Sequence, residues 1–147
     1  MAKSLFFEDV KVDEEIAPLI KKPTKRQVVE WIAASEEYAE VHFDKDFAQQ
    51  VRGLPDVIVP GRLQAAFLVQ LLADWIRPQG RIATLSLRSR AIDFPGKTLI
   101  CRCKVIRKWV EKENYYVECE VWSEGEKGER TVDGSAIVNL PDQGMSK

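Results

Sequence analysis

A single apolar helix constrains the fold of this chain more than any other feature. Residues 62–76 carry apolar side chains on nearly every side of a helix of about four turns. A helix of this kind is stable only when other structure packs around it. The chain has 147 residues, which suits one domain with its own core. The structure that covers the helix must therefore come from the rest of the same domain.

The second half of the chain supplies that structure. Strand-like segments separated by short polar or glycine-containing turns span residues 82–92, 98–110, 115–122 and 130–140. Long strands with such short connections predict an antiparallel meander. A further short strand is predicted over residues 14–22. The predicted fold class is therefore α+β, with an antiparallel curved sheet wrapped around one long central helix.

Two more helices are predicted between the first strand and the long helix. The first begins after Thr24, whose hydroxyl can cap it, and Gln27 three residues later completes a capping box. This helix fades near residues 35–38. The second spans residues 44–51, with Asp44 as its cap. The only histidine of the chain, His42, therefore lies in the connection between these two helices.

Composition narrows the classes of function. Charged residues make up 31% of the chain and the formal net charge is -1, so no basic surface for nucleic acid is expected. No apolar stretch reaches the length of a membrane span. The start of the chain loses its apolar character within a few residues and does not resemble a signal peptide. We expect a cytoplasmic protein that binds neither nucleic acid nor membrane.

The three cysteines do not indicate a chemical site. Cys101 and Cys103 lie two apart in a predicted strand, so both point to one face of the sheet. With Cys119, we interpret them as small buried residues. No Cys-x-x-Cys spacing occurs and only one histidine is available, so no metal site is expected. A nucleophilic thiol is disfavoured because no base lies near it in sequence.

Four segments, taken together, carry a family resemblance. They cover residues 7–12, 33–48, 53–61 and 88–99. Their residues and order resemble the MaoC-like branch of the hotdog-fold proteins, which includes (R)-specific enoyl-CoA hydratases and 3-hydroxyacyl dehydratases. The resemblance implies a single hotdog domain over residues 1–147, with its core at about residues 7–141.

The catalytic segment of that family usually reads Gly-Asp-x-Asn-Pro-(aliphatic)-His. His42 matches the histidine, and Glu37 occupies the position of the aspartate. Ala39 and Glu40 replace the asparagine and the proline. Farther along, Pro60 stands where a histidine usually precedes the glycine that starts the long helix.

The activity implied by the resemblance is reversible addition of water to the 2,3-trans double bond of an acyl-CoA or acyl-carrier-protein thioester. Glu37 and His42 would orient and deprotonate the water, and one of them would return a proton to C2. Backbone N–H groups at Gly61 would stabilise the enolate-like thioester oxygen. No cofactor is implied, because CoA or the carrier protein arrives as part of the substrate.

Several of these residues also have simpler interpretations. Arg88 and Arg90 alternate on one face of a predicted strand, where they could bind CoA phosphates or form an exposed charged face. Glu36, Glu37 and Glu40 also fit a solvated acidic face, and Gly61 fits an ordinary helix start.

Three functions remain open from the sequence. The preferred one is an (R)-type enoyl-CoA hydratase or 3-hydroxyacyl thioester dehydratase. The departures around the site favour, as an alternative, a catalytically silent or partner-dependent hotdog subunit that binds acyl thioesters. The third is an acyl-CoA thioesterase that uses Gln64 or Gln70 on the long helix. Exposed sheet edges favour a homodimer or pairing with a second hotdog chain.

Overall fold

One antiparallel sheet and one long helix make up the core of the computed structural model, which describes residues 4–146. The strands lie in the order β1-β3-β4-β5-β2 across the sheet. The predicted α+β fold, with an antiparallel sheet around one long helix, is confirmed. The elements are β1 (Leu19–Lys21), α1 (Lys25–Ser35), α2 (Gly61–Ile76), β2 (Arg81–Ser89), β3 (Leu99–Glu111), β4 (Asn114–Glu124) and β5 (Arg130–Leu140).

Helix α2 forms the centre of the core and contacts all five strands. Leu68 and Leu72, in its middle, are completely buried, as expected for an apolar helix covered by a sheet. Its opposite side is exposed at Val69 and Asp74, so the sheet covers one side of the helix only. Among the residues that the structure describes, no helix is long and apolar enough to cross a membrane.

Strand β3 shows how the sheet covers α2. Its buried residues alternate along the first half of the strand, at Leu99, Cys101, Cys103 and Val105, so one face packs into the core. All three cysteines are buried and free of disulfides, which confirms their predicted role as buried strand residues. Burial raises the pKa of the Cys101 thiol to about 12, so that thiol stays protonated near neutral pH.

The first strand is shorter than predicted. Instead of residues 14–22, only Leu19–Lys21 pair with β3, apart from an isolated bridge between Glu15 and Lys104. Pro18 has no N–H to donate to the sheet and lies directly before the paired residues. The proline therefore limits the strand to its last three residues.

Both predicted helix caps ahead of α2 are present. The Thr24 hydroxyl accepts a hydrogen bond from the Gln27 N–H at 3.1 Å and starts α1. Asp44 Oδ1 accepts from the Phe47 N–H at 3.0 Å, and the following residues form a short helix whose wider turn spans Phe47–Val51. The connection that contains His42 therefore lies between the end of α1 and the Asp44 cap.

Candidate active site

The end of α1 directs Glu37 away from the helix. Glu36 adopts the left-handed conformation, with φ 55 and ψ 30, and closes the helix with its N–H donating to Ile32 O. The Glu37 N–H donates to the same carbonyl at 3.2 Å. Glycine usually occupies such a position because a Cβ is unfavourable there. The turn is therefore one that this sequence makes at some cost in free energy.

His42 is held by the backbone of a neighbouring segment. It lies at the end of a short 3-10 turn (Glu40–His42) and is buried, with 8% of its surface exposed. Its Nδ1 is 2.9 Å from Ile58 O, and the Ile58 N–H donates to Val41 O at 3.1 Å. A carbonyl oxygen can only accept, so Nδ1 of the neutral ring carries the proton and Nε2 keeps its lone pair.

The carboxylate of Glu37 faces that free nitrogen. Glu37 Oε1 is 4.0 Å from His42 Nε2, which is too long for a direct hydrogen bond. Glu37 Oε2 is buried and, within the described residues, has no hydrogen-bond partner. Buried polar atoms are nearly always satisfied by protein, water or ligand. The pair therefore presents two acceptors to a small polar molecule placed beside them.

The start of α2 offers backbone donors. The helix begins at Gly61, with Pro60 at its N-cap and no side chain capping it. The first N–H groups of a helix point outward and attract negative charge. A Cβ added at Gly61 would meet only Ser89 Oγ, at 3.4 Å. Packing therefore places little demand for glycine at this position.

A small apolar cavity adjoins the segment that carries the acid and the histidine. Its volume is about 240 Å³. Tyr38 directly follows Glu37, and Phe43 directly follows His42. The cavity can hold an apolar group of a ligand beside the polar pair. It is lined by Val29, Ile32, Ala33, Tyr38 and Phe43.

The two arginines considered for CoA phosphates lie at the end of β2. Arg88 is exposed and pairs in register with Asp133 of β5. Arg90 lies just beyond the strand, and its Nε donates to Asp133 Oδ2 at 2.8 Å. One face of the Arg90 guanidinium is thus already bound to a carboxylate, while Arg88 projects from an exposed position.

A second polar cluster, which the sequence did not reveal, lies behind the start of α2. Asp93 is 6% exposed, and its Oδ2 accepts a hydrogen bond from Gln64 Nε2 at 2.5 Å. Burial raises the pKa of the Asp93 carboxyl. The amide nitrogen of Gln64, one of the two residues considered for a thioesterase role, is thus bound to Asp93. The other residue considered for that role, Gln70, is exposed.

A match to a known protein family covers the part of the chain that contains the candidate site. The family model for hydroxyacyl-thioester dehydratase type 2 matches residues 23–95. That span contains Glu37, His42, Gly61 and Asp93. No curated protein sequence matches the chain significantly.

Solved structures with the same fold are similar over nearly the whole chain. The (R)-hydratase PhaJ1 from Pseudomonas aeruginosa is 20% identical, with a TM-score of 0.85 over 95% of this chain and 88% of that chain. The chain has the hotdog fold. The (R)-hydratase from A. caviae involved in PHA biosynthesis is 23% identical, with a TM-score of 0.81 over 91% of this chain and 99% of that one. A chain of the ChsH1–ChsH2 complex from Mycobacterium tuberculosis is 18% identical, with a TM-score of 0.77 over 89% and 98% of the two chains.

The backbone geometry explains one difference between this sequence and the MaoC-like catalytic pattern. The family has glycine where this protein has Glu36, and the backbone here keeps the left-handed turn that glycine favours. The turn that presents Glu37 is therefore one that glycine would adopt without strain. No such backbone explanation applies to Ala39, Glu40 or Pro60.

Proposed function

We propose that this protein is an (R)-type enoyl-thioester hydratase, or equivalently a 3-hydroxyacyl-thioester dehydratase, that uses Glu37 and His42. The match to the dehydratase family model supports this class of reaction. The observation that carries the proposal is the 4.0 Å separation between Glu37 Oε1 and His42 Nε2. The substrate is a trans-2-enoyl or 3-hydroxyacyl thioester of CoA or of a carrier protein.

The separation suits a water molecule bound between the two groups. A water oxygen at ordinary hydrogen-bond distance, about 2.8 Å, can contact both atoms when they are this far apart. One of the two groups accepts a proton as the water oxygen bonds to C3. The electrons of the double bond move toward the thioester carbonyl, and the same proton is then returned to C2. The net result is addition of one H and one OH, and dehydration is the reverse.

The start of α2 is the proposed site for the thioester oxygen. Negative charge develops on that oxygen as the C2=C3 double bond is lost, and backbone N–H groups can stabilise it. Gly61 lacks a side chain that would keep the ligand away from those groups. The apolar cavity beside Tyr38 and Phe43 is the proposed contact for an acyl group, and Arg88 with Arg90 for CoA phosphates.

The proposal is tested by following the absorbance of the enoyl-thioester bond. Purified protein is mixed with crotonyl-CoA and with a longer trans-2-enoyl-CoA, and absorbance should fall as water adds. His42→Ala and Glu37→Gln should each abolish the reaction. Glu36→Gln is the matched control, because it changes the neighbouring exposed acid in the same way. Wild-type rates in both site variants would refute the assignment.

A second candidate function is a hotdog subunit that requires a different partner chain for activity. The observation that favours it is the loss of polar side chains at Ala39 and Pro60, where the family usually has asparagine and histidine. The matched ChsH1–ChsH2 structure is itself a complex. A protein that is inactive alone, and active only when co-purified with a second hotdog chain, would support this candidate over the first.

The sheet edge formed by β2 is the proposed site for a partner. This nine-residue strand is the longer of the two edges, and an unpaired edge favours addition of another chain. We expect a solution mass near twice the 16.8 kDa of one chain. Size-exclusion chromatography with light scattering measures it, and a monomer at micromolar concentration would contradict the prediction.

A further inference from the structure

A buried acid holds the chain on both sides of the start of α2. The Asp93 carboxyl accepts from Gln64 Nε2 at 2.5 Å, in the first turn after Gly61. The main-chain oxygen of Asp93 accepts from the Val59 N–H at 2.9 Å, two residues before Gly61. One residue therefore fixes both the segment that enters α2 and the helix itself.

The contact at Val59 leads directly to the catalytic ring. The neighbouring residue Ile58 accepts from His42 Nδ1 at 2.9 Å. Its N–H donates to Val41 O at 3.1 Å, next to the histidine in the chain. The orientation of the imidazole thus depends on where residues 57–59 lie.

The segment that carries Asp93 is anchored to the sheet. The main-chain oxygen of Thr131, at the start of β5, accepts from the N–H groups of Arg90 and Ala91 at 2.8 and 3.2 Å. The Thr131 hydroxyl is 2.9 Å from that of Ser123 on β4. Thr131 and Ser123 are both 1% exposed. The segment that carries Asp93 is therefore anchored to two adjacent strands of the sheet through buried residues.

A carboxyl group is a costly occupant of this position if its role is packing alone. Burial raises the pKa of Asp93, which means that the ionised form is destabilised there. An apolar side chain would fill the space without that cost. The hydrogen bond to Gln64 offsets part of the cost of burying the carboxyl. It also fixes the position of α2 relative to the segment that carries Asp93, which an apolar side chain would not do.

We propose that Asp93 is a positioning residue for the active site. Its side chain fixes the start of α2 through Gln64. Its main-chain oxygen holds Val59, which directly follows the Ile58 carbonyl that orients His42. The N–H groups at Gly61 and the imidazole of His42 are thereby held at fixed positions relative to each other and to the substrate. The effect on catalysis rests on the proposed function, whereas the effect on the ring of His42 does not.

The single histidine of the chain makes a direct test practicable. In tag-free protein with isotope-labelled histidine, heteronuclear NMR reports the two ring nitrogens of His42 alone. At alkaline pH, where imidazoles are neutral, the wild type should show the Nδ1–H tautomer. Asp93→Ala removes the contact with Gln64 that holds residue 93 in place. Its main-chain oxygen should then move with Val59 and Ile58, and the signals should shift toward a mixture of both tautomers. Asp93→Asn, which keeps an oxygen acceptor for Gln64, should retain the wild-type signals.

Two further variants separate positioning from general destabilisation. Gln64→Met removes the amide donor while keeping a side chain of similar length, and it should shift the signals as Asp93→Ala does. Val117→Ala removes buried volume from β4, toward the end of the strand away from Ser123, and should not shift them. Wild-type signals in both Asp93→Ala and Gln64→Met would overturn the proposal.

Kinetics provide the second readout. Asp93→Ala should lower kcat for hydration by about a hundredfold with little change in KM, because it disturbs alignment rather than binding. Asp93→Asn should restore most of the lost rate. A wild-type kcat in Asp93→Ala would overturn the positioning role. An inactive wild type would refute the proposed function, and the NMR comparison would still decide the role of Asp93 in orienting His42.

Discussion

Shortening Glu37 by one methylene is the sharpest test of the proposed catalytic geometry. In Glu37→Asp the carboxylate withdraws by about 1.5 Å, one C–C bond. The present distance from Glu37 Oε1 to His42 Nε2 is 4.0 Å, so it would approach 5.5 Å, roughly the sum of two hydrogen bonds. A water could then contact both groups only when it lies on the straight line between them, where it cannot also be aimed at C3.

The expected loss is about a hundredfold in kcat, since a displacement near 1 Å at a reacting group costs roughly that much. This corresponds to about 2.7 kcal/mol in the activation free energy. The prediction runs against the family pattern, in which aspartate is the usual residue. It follows from the structure because the turn at Glu36 and the contacts of His42 place the backbone for the longer acid.

The assay is the initial rate of absorbance loss with crotonyl-CoA at saturating substrate. Glu40→Asp is the matched control, because it makes the same change at an exposed acid in the same segment, and its rate should equal that of the wild type. Glu37→Gln keeps the length but removes the carboxylate, and should be inactive. A rate for Glu37→Asp equal to or above the wild-type rate would refute the reasoning from distance.

Four further predictions concern stability and the helix start. Leu68→Ala should lower the free energy of unfolding by about 2–5 kcal/mol, since Leu68 is fully buried; urea denaturation with an unchanged m-value measures it. Glu36→Gly should raise the free energy of unfolding by about 1 kcal/mol in the same assay, because glycine adopts a φ of 55 without strain. Gly61→Ala should leave the urea midpoint nearly unchanged, given the 3.4 Å contact of its added Cβ, but should lower kcat; an unchanged kcat would count against the role of Gly61. Burial raises the pKa of Asp93 in the folded state, whereas its pKa in the unfolded state is near 3.9. Between these two pH values the folded chain binds more protons than the unfolded chain. The free energy of unfolding therefore falls as pH rises through this range. Asp93→Asn should remove that fall in urea midpoints measured across the same pH range.

The scaffold could be predicted because its signals are local. The apolar residues of α2 and the alternation at Leu99, Cys101 and Cys103 are visible in short stretches of sequence. Both helix caps, at Thr24 and Asp44, follow from the residue type and spacing. Errors occurred where a tertiary contact ended an element. The strand predicted over residues 82–92 stops at Ser89, since the next N–H groups turn to the Thr131 carbonyl.

The candidate site could be predicted only in part. His42 and Glu37 were found through the family pattern, but their separation depends on a left-handed turn that glutamate disfavours. The hydrogen-bond partner of the imidazole is the Ile58 carbonyl. Every residue has such a backbone group, so the sequence does not indicate which one binds His42.

Asp93 was missed for a different reason. It lies just before Phe94-Pro95-Gly96, and acids are common at exposed turns. Its burial depends on Gln64, 29 residues earlier in the chain, and only the folded structure shows that contact.

The proposed active-site residues and most of the core lie in different parts of the chain. Glu37, His42 and Gly61 all lie between the end of α1 and the first turn of α2, whereas most of the core is formed by α2 and the sheet. Substitutions at exposed positions of the connecting segment can therefore change the proposed site and leave the core intact. The proposed reaction can therefore be lost by substitution while the fold is retained.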